Sequence, residues 1–345
     1  MAGVGPVDGV VVGLDMGGTA VNATVLDSGA RFLVGTLIER PSRVLAGPDA
    51  AIQALEESFD GVLELTGTRR AQVRAVGLDT PGPASPDGVI SSKGATNFSD
   101  AAWHGYDVRS ALQDRLGLPV VYNNDGNAAA LYAHDVFFGP RAKHTSSISV
   151  VVGTGLGGGV IVDGHIVSGA AGMAGELGHI QIPLQGLLQE GQDIPACNCG
   201  LTGDVESFAS LTGIKKNLLP YWLTRFPGHE LAKLPVDEAA KRVRSLGESG
   251  DPLARAIFTQ QAEALGRIFT IAGAFSDPGA YFVGGGVVET SVDFREWFLS
   301  TVRANTVLHV EQAAVAQFVL VPELDMAGAR GSAIAAADAL AEARV

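Results

Sequence analysis

One pattern occurs twice in this chain: an apolar strand, a glycine-rich turn, a second strand, an Asp/Gly turn and a third strand. The first copy opens at Val10-Val11-Val12-Gly13-Leu14 and turns through Asp15-Met16-Gly17-Gly18-Thr19. It continues over Ala20–Leu26 and turns again at Asp27-Ser28-Gly29 into Phe32–Ile38. The second copy opens at Ile148, turns through the glycines from Gly153 to Gly159, and runs on over Gly159–Val162. Asp163-Gly164 then leads into a third strand near His165–Val167. Continuous apolar runs are what strands buried on both faces require. A repeated unit of this size predicts a duplicated α/β lobe, and 345 residues are enough for two lobes.

Helix and strand signals alternate along the rest of the chain. Pro48–Leu65 sets Ile52, Leu55, Phe59, Val62 and Leu63 on one helical face. Val73–Leu78 is a buried strand running into Asp79-Thr80-Pro81-Gly82-Pro83, a turn no helix crosses. Tyr106–Leu116 reads as a helix, Pro119–Tyr122 as a short strand, and Ala128–Phe138 as a helix. Glu206 to Gly273 is mostly helical, with a break at Phe226-Pro227-Gly228. Ala280–Val283 and Phe318–Val321 are strands, and Phe294–Asn305 and Gly331–Ala343 are helices. Apolar strands thus end in three glycine clusters: Gly17-Gly18, Gly153 to Gly159, and Gly284-Gly285-Gly286. Strand C-termini beside glycine turns are where α/β sheets hold ligands.

Net charge is −13, from 24 basic and 37 acidic residues. Nucleic-acid and anionic-membrane surfaces need a basic footprint, so neither partner is expected. No apolar run approaches the roughly 20 residues of a membrane span, and Met1–Gly9 has no signal-peptide pattern. The two cysteines are spaced C-x-C at Cys197 and Cys199. A disulfide across one residue is strained, so metal ligation is the better reading and a cytoplasmic location is expected.

Gly153-x-Gly155-x-x-Gly158 matches the dinucleotide fingerprint, but a strand and not a helix follows it, so that reading is rejected. The turn is either a phosphate-binding hairpin, with Thr154 adding a hydroxyl, or a purely structural one. Asp15 is a candidate for positioning Mg²⁺ and phosphate, or else an Asx-turn residue. Asp125, between Asn124 and Asn127, is a candidate base for a hydroxyl proton, or else part of a helix cap. Glu176, His179 and Glu206 suit a polyhydroxylated ligand. His179, Cys197 and Cys199 are three metal-type ligands, with Asp204 as a possible fourth.

Taken together, these motifs resemble the ROK family of sugar kinases and sugar-responsive repressors. The resemblance runs nearly end to end: D-x-G-G-T at Asp15–Thr19, T-P-G-P at Thr80–Pro83, Asn97 with Trp103, and N-D-G-N-A at Asn124–Ala128. It continues with G-T-G-x-G-G-G at Gly153–Gly159, G-E-x-G-H at Gly175–His179, C-x-C-G-x-x-G-x-x-E at Cys197–Glu206, and G-G-G at Gly284–Gly286. It implies the actin-like (ribonuclease H-like) fold, two lobes with a cleft between them. The expected division is 1–124 and 125–330, with the C-terminal helix (about 331–345) packing back on the first lobe.

The resemblance also implies roles. Asp15, Gly17, Gly18 and Thr19 would form a first phosphate motif, and Thr154, Gly155 and Gly157 a second. Gly284, Gly285 and Gly286 would lie toward the nucleoside. Asp125 matches the catalytic base, and Asn124, Glu176, His179 and Glu206 match the sugar contacts, with Asn97 a further candidate. A structural zinc on His179, Cys197, Cys199 and Asp204 is implied, although Asp204 stands where the family has a third cysteine. Ala20 stands where the family often has Lys. The expected activity is ATP- and Mg²⁺-dependent phosphorylation of the 6-hydroxyl of a hexose such as glucose, by a dimer or tetramer. An amino sugar or a carbocyclic sugar analogue is the alternative acceptor. Polyphosphate as donor is disfavoured by the absence of a basic track. A repressor is disfavoured too, because only nine residues precede Val10 and leave no room for a DNA-binding domain.

Overall fold

The computed structural model describes residues 9–36, 38–82, 84–91, 98, 100–321 and 324–343. Ten strands are described: β1 (Val10–Met16), β2 (Ala20–Leu26), β3 (Glu39–Pro41), β4 (Val73–Thr80), β5 (Val120–Asn124), β6 (Ser147–Val152), β7 (Leu156–Val162), β8 (His165–Ile166), β9 (Ala280–Gly285) and β10 (Gln317–Leu320). The helices are α1 (Pro48–Thr66), α2 (Val108–Leu116), α3 (Asp125–Phe138), α4 (Leu211–Gly213), α5 (Leu219–Arg225), α6 (Val236–Glu248), α7 (Pro252–Ser276), α8 (Val292–Ala304), α9 (Val310–Val315) and α10 (Leu324–Glu342). They form two five-stranded sheets, ordered β3-β2-β1-β4-β5 and β10-β9-β6-β7-β8.

The chain forms two compact units. One is the chain up to Thr145 with Gly159–Gly175 and α10; the other is Ser146–Gly158 with Glu176–Val321. β7 carries the chain from the second unit into the first. The sequence places the division at Asn124. In the structure α3 packs on α10 and meets β5, which keeps it with the first unit.

In the first unit, β1 pairs antiparallel with β2 and parallel with β4, and β4 pairs parallel with β5. Leu14, Met16, Leu55, Phe59, Leu78 and Trp103 form the centre of its core, each fully buried. Trp103 keeps its indole N–H satisfied by donating to the Val44 carbonyl at 3.1 Å. α10 lies almost in contact with the backbone of β1 and β4, because the facing positions are glycines. A Cβ on Gly13 would stand 1.9 Å from the Ala329 carbonyl oxygen, and one on Gly77 1.8 Å from that of Ser332.

Two strands differ from expectation. Among its described residues, the run Phe32–Ile38 makes only an isolated bridge, Leu26 to Phe32. The chain then leaves the sheet edge to bury Val34, and the third strand forms at β3, pairing with Ala20–Asn22. In the second copy the turn is shorter than expected. Leu156 is buried and already begins β7, so Gly157, Gly158 and Gly159 lie in a strand. The Asp163-Gly164 turn forms as read, with φ of 49° and 76°, the left-handed pair that a tight two-residue hairpin needs.

The second unit is built on β6, β9 and β10, all parallel. α7 is its longest helix, with Pro252 in the first turn and the Asp251 side chain accepting from the Ala254 amide at 2.9 Å. Its Phe258 and Phe269 are buried, and their rings meet those of Phe294 and Tyr281.

Candidate active site

In the first unit the parallel strands β1, β4 and β5 end together. Asp15 is the register partner of Asp79, and Asp79 of Asn123. Carbonyl groups and polar side chains therefore collect in one row where the strands end. Asp79 is fully buried and its Oδ2 accepts the Ser332 hydroxyl at 2.7 Å. Burial pushes its carboxyl well above the usual range, and the neighbouring Asp15 charge adds to this. Burial also raises Asp15, whose Oδ2 accepts from the Asn22 amide at 3.3 Å. Gly328 of α10 comes so close that a Cβ there would stand 2.7 Å from the Asp15 carboxyl. The Gly17-Gly18 turn is closed by the Gly17 amide donating to the Ala20 carbonyl at 2.8 Å, and Thr19 is exposed.

β5 leads directly into α3. The Asn124 side chain accepts from the Asn127 amide at 2.9 Å and caps the helix. Asp125 is the first helical residue and is exposed, with Oδ1 accepting from the Gly126 amide at 2.7 Å. Asn97 lies outside the described residues.

In the second unit, the turn after β6 is bound from behind. The Gly153 carbonyl accepts from the Leu211 amide at 2.9 Å, and the Thr154 carbonyl from the Thr212 hydroxyl at 2.8 Å. Thr154 and Gly157 are exposed, and Gly155 is half-buried. Beside the turn is a cavity of about 330 Å³ lined by Val152, Gly153, Ile214, Lys241, Arg244, Gln261 and Gly286, among others. Arg244 Nη1 donates to the Gly286 carbonyl at 2.8 Å. Of the third glycine cluster only Gly286 borders this cavity. Gly284 and Gly285 lie in β9 against β6, where a Cβ on Gly285 would stand 2.2 Å from the Val152 carbonyl oxygen.

Glu176, His179, Cys197, Cys199, Asp204 and Glu206 also lie in this unit. Burial raises the Glu176 carboxyl, and the charge of Glu206 adds to it against the opposing effect of His179. The ligand atoms of His179, Cys197, Cys199 and Asp204 lie within 4.8 Å of one another. His179 Nδ1 to Asp204 Oδ2 is 3.4 Å, Cys197 Sγ to His179 Nδ1 is 3.8 Å, and Cys199 Sγ to Asp204 Oδ2 is 3.5 Å. Ordinary zinc bond lengths at tetrahedral angles give ligand–ligand edges of roughly 3.4–3.8 Å, which these three separations match. Asp204 is fully buried. Burial alone would raise it, but hydrogen bonds from His179, Cys197 and the Ser207 amide outweigh that and hold it low. The Asp204 contact in turn raises the His179 imidazole.

The ROK family model matches residues 11–339. This chain belongs to the ROK family. The glucokinase of Thermotoga maritima is 28% identical to it over 329 residues, 94% of this chain and 96% of that protein. The N-acetyl-D-glucosamine kinase of Escherichia coli O6:H1 is 30% identical over 285 residues, 80% of this chain and 83% of that one. The crystal structure of a ROK family glucokinase from Streptomyces griseus, in complex with glucose and AMPPNP, is 28% identical. It superposes with a TM-score of 0.69 over 96% of this chain and 100% of that chain. The fold of this ROK protein is therefore the actin-like one of its kinase relatives. No described helix is long and apolar enough to cross a membrane.

Sequence reasoning missed Asp79, Lys241, Arg244 and Gln261. Asp79 carried a signal, since it ends a buried apolar run as Asp15 does. The other three are ordinary helix residues that reach the cavity only because α6 and α7 line it together with the end of β6.

Proposed function

We propose that this ROK protein is an ATP-dependent hexose kinase that phosphorylates the primary 6-hydroxyl, with glucose as the foremost acceptor. The observation that carries the reading is an exposed carboxylate, Asp125, at the start of α3 in a chain whose glycine turn borders a nucleoside-sized cavity. The sugar kinases among its relatives support it. Asp125 accepts the hydroxyl proton as the sugar oxygen attacks the γ-phosphorus and ADP leaves. The turn at Thr154–Gly157 and the Gly17–Thr19 turn hold phosphate through backbone N–H groups and hydroxyls. The cavity takes the nucleoside, with Lys241 and Arg244 supplying positive charge.

Asn124, Glu176, His179 and Glu206 contact the sugar. Asp15 is the residue that would hold Mg²⁺, its carboxylate oxygens suiting that ion; the ion would neutralise phosphate charge. His179, Cys197, Cys199 and Asp204 would hold a structural zinc, which would stiffen the sugar loop without entering the chemistry. N-acetylglucosamine is the second reading, on the strength of the Escherichia coli relative. A coupled ADP-release assay over hexoses, amino sugars and cyclitols tests both readings. Turnover with glucose supports the first, preference for the N-acetyl sugar the second, and no ADP release with any acceptor overturns the kinase assignment.

A further inference from the structure

The Glu206 carboxylate holds the glycine turn. The Leu156 amide, at the end of that turn, donates to Glu206 Oε2 at 2.9 Å. The same oxygen lies so close to the turn that a Cβ on Gly155 would stand 2.7 Å from it. Glu206 itself is fixed from the other side. Its amide donates to the Gly178 carbonyl at 2.8 Å, and its carbonyl accepts the Ser210 hydroxyl at 2.7 Å. Its second oxygen, Oε1, is 3.5 Å from Cys197 Sγ. One side chain therefore spans from the cysteine loop to the turn beside the cavity.

We propose that Glu206 is a positioning residue for the donor-phosphate turn, in addition to any contact with the acceptor. The proposal rests on the kinase reading, since it assigns nucleotide to that turn. A charge-assisted hydrogen bond to a half-buried amide fixes the peptide plane at Leu156. It thereby sets the direction of the preceding N–H groups toward a phosphate. Gly155 is glycine because Glu206 fills the space a side chain needs. Acceptor and donor binding thus share one carboxylate.

The test is binding of AMPPNP with Mg²⁺ in the absence of sugar, by calorimetry, to the full-length wild type and three variants. Glu206→Ala is expected to weaken nucleotide on the order of tenfold, the loss of a hydrogen bond to a charged group. Glu206→Gln keeps an acceptor for the Leu156 amide and is expected to stay within about threefold, while both variants lose sugar affinity. Gly155→Ala, which displaces Glu206, is expected to weaken nucleotide as Glu206→Ala does, and it carries the test where that variant does not fold. Wild-type nucleotide affinity in Glu206→Ala or in Gly155→Ala overturns the inference alone. A wild-type protein that neither binds nucleotide nor phosphorylates any sugar overturns the kinase reading and the inference together.

Discussion

Asp15 and Asp79 face each other as register partners on the parallel strands β1 and β4, with Asp79 wholly out of solvent. Two carboxylates this close are costly when both ionise, and burial makes Asp79 the one that keeps its proton. Its native pKa therefore stands above the unfolded value. That contribution is full below the ordinary carboxylate range and is lost as pH rises through the raised native pKa. Asp79→Asn stays neutral and keeps an oxygen for the Ser332 hydroxyl. It is expected to melt above wild type at pH 8, by about 2–4 °C for each kcal/mol relieved, with the difference shrinking toward pH 4. Thermal melts across that range decide it; a variant less stable than wild type at pH 8 means Asp79 is ionised and needed so.

Asp125→Asn removes the proton acceptor and keeps the size of the side chain. kcat is expected to fall by about 10²–10⁴-fold with little change in melting temperature, because Asp125 is exposed. Near wild-type turnover on the best acceptor would remove Asp125 from the chemistry.

Purified protein is expected to carry about one zinc per chain, the stoichiometry of a closed four-ligand site. Asp204→Cys should hold it more tightly, and Cys197→Ser should lose it and lower the melting temperature. Elemental analysis well under one zinc per wild-type chain rejects the site.

Arg244 lines the cavity and is tied to the Gly286 carbonyl. Arg244→Met is expected to raise the KM for nucleotide about tenfold, the scale of one charged hydrogen bond, with the sugar KM unchanged. A change in sugar KM alone would move the nucleotide out of this cavity.

Gly77→Ala places a methyl group 1.8 Å from the Ser332 carbonyl oxygen. α10 then has to lift off the sheet, and overpacking of this kind costs about 1–3 kcal/mol or more. Denaturant unfolding measures it, and wild-type stability would mean α10 is free to shift.

The residues that carry the site differ in how visible they were. Asp15, Asp125 and the glycine turns stand out because each interrupts an apolar run, a local break that any reading along the chain meets. The strand expected over Phe32–Ile38 failed because edge pairing is decided by what the neighbouring strand still has free, and β2 takes up Glu39–Pro41 instead. Gly157 was grouped with the turn, but Leu156 is drawn into the core and starts β7 three residues before the expected Gly159.

The sequence by itself determined the repeated strand and turn order, the family and the chemical types at the site. These depend on residues close together in the chain, where burial and turn preferences act directly. Only the tertiary structure decided that Asp79 sits beside Asp15, and that Glu206 binds an amide 50 residues away. It also decided that Lys241 and Arg244 line the cavity beside the glycine turn. Each of these contacts joins segments distant in sequence. Packing of helices against strands chooses which side chains meet, and no local pattern encodes that choice.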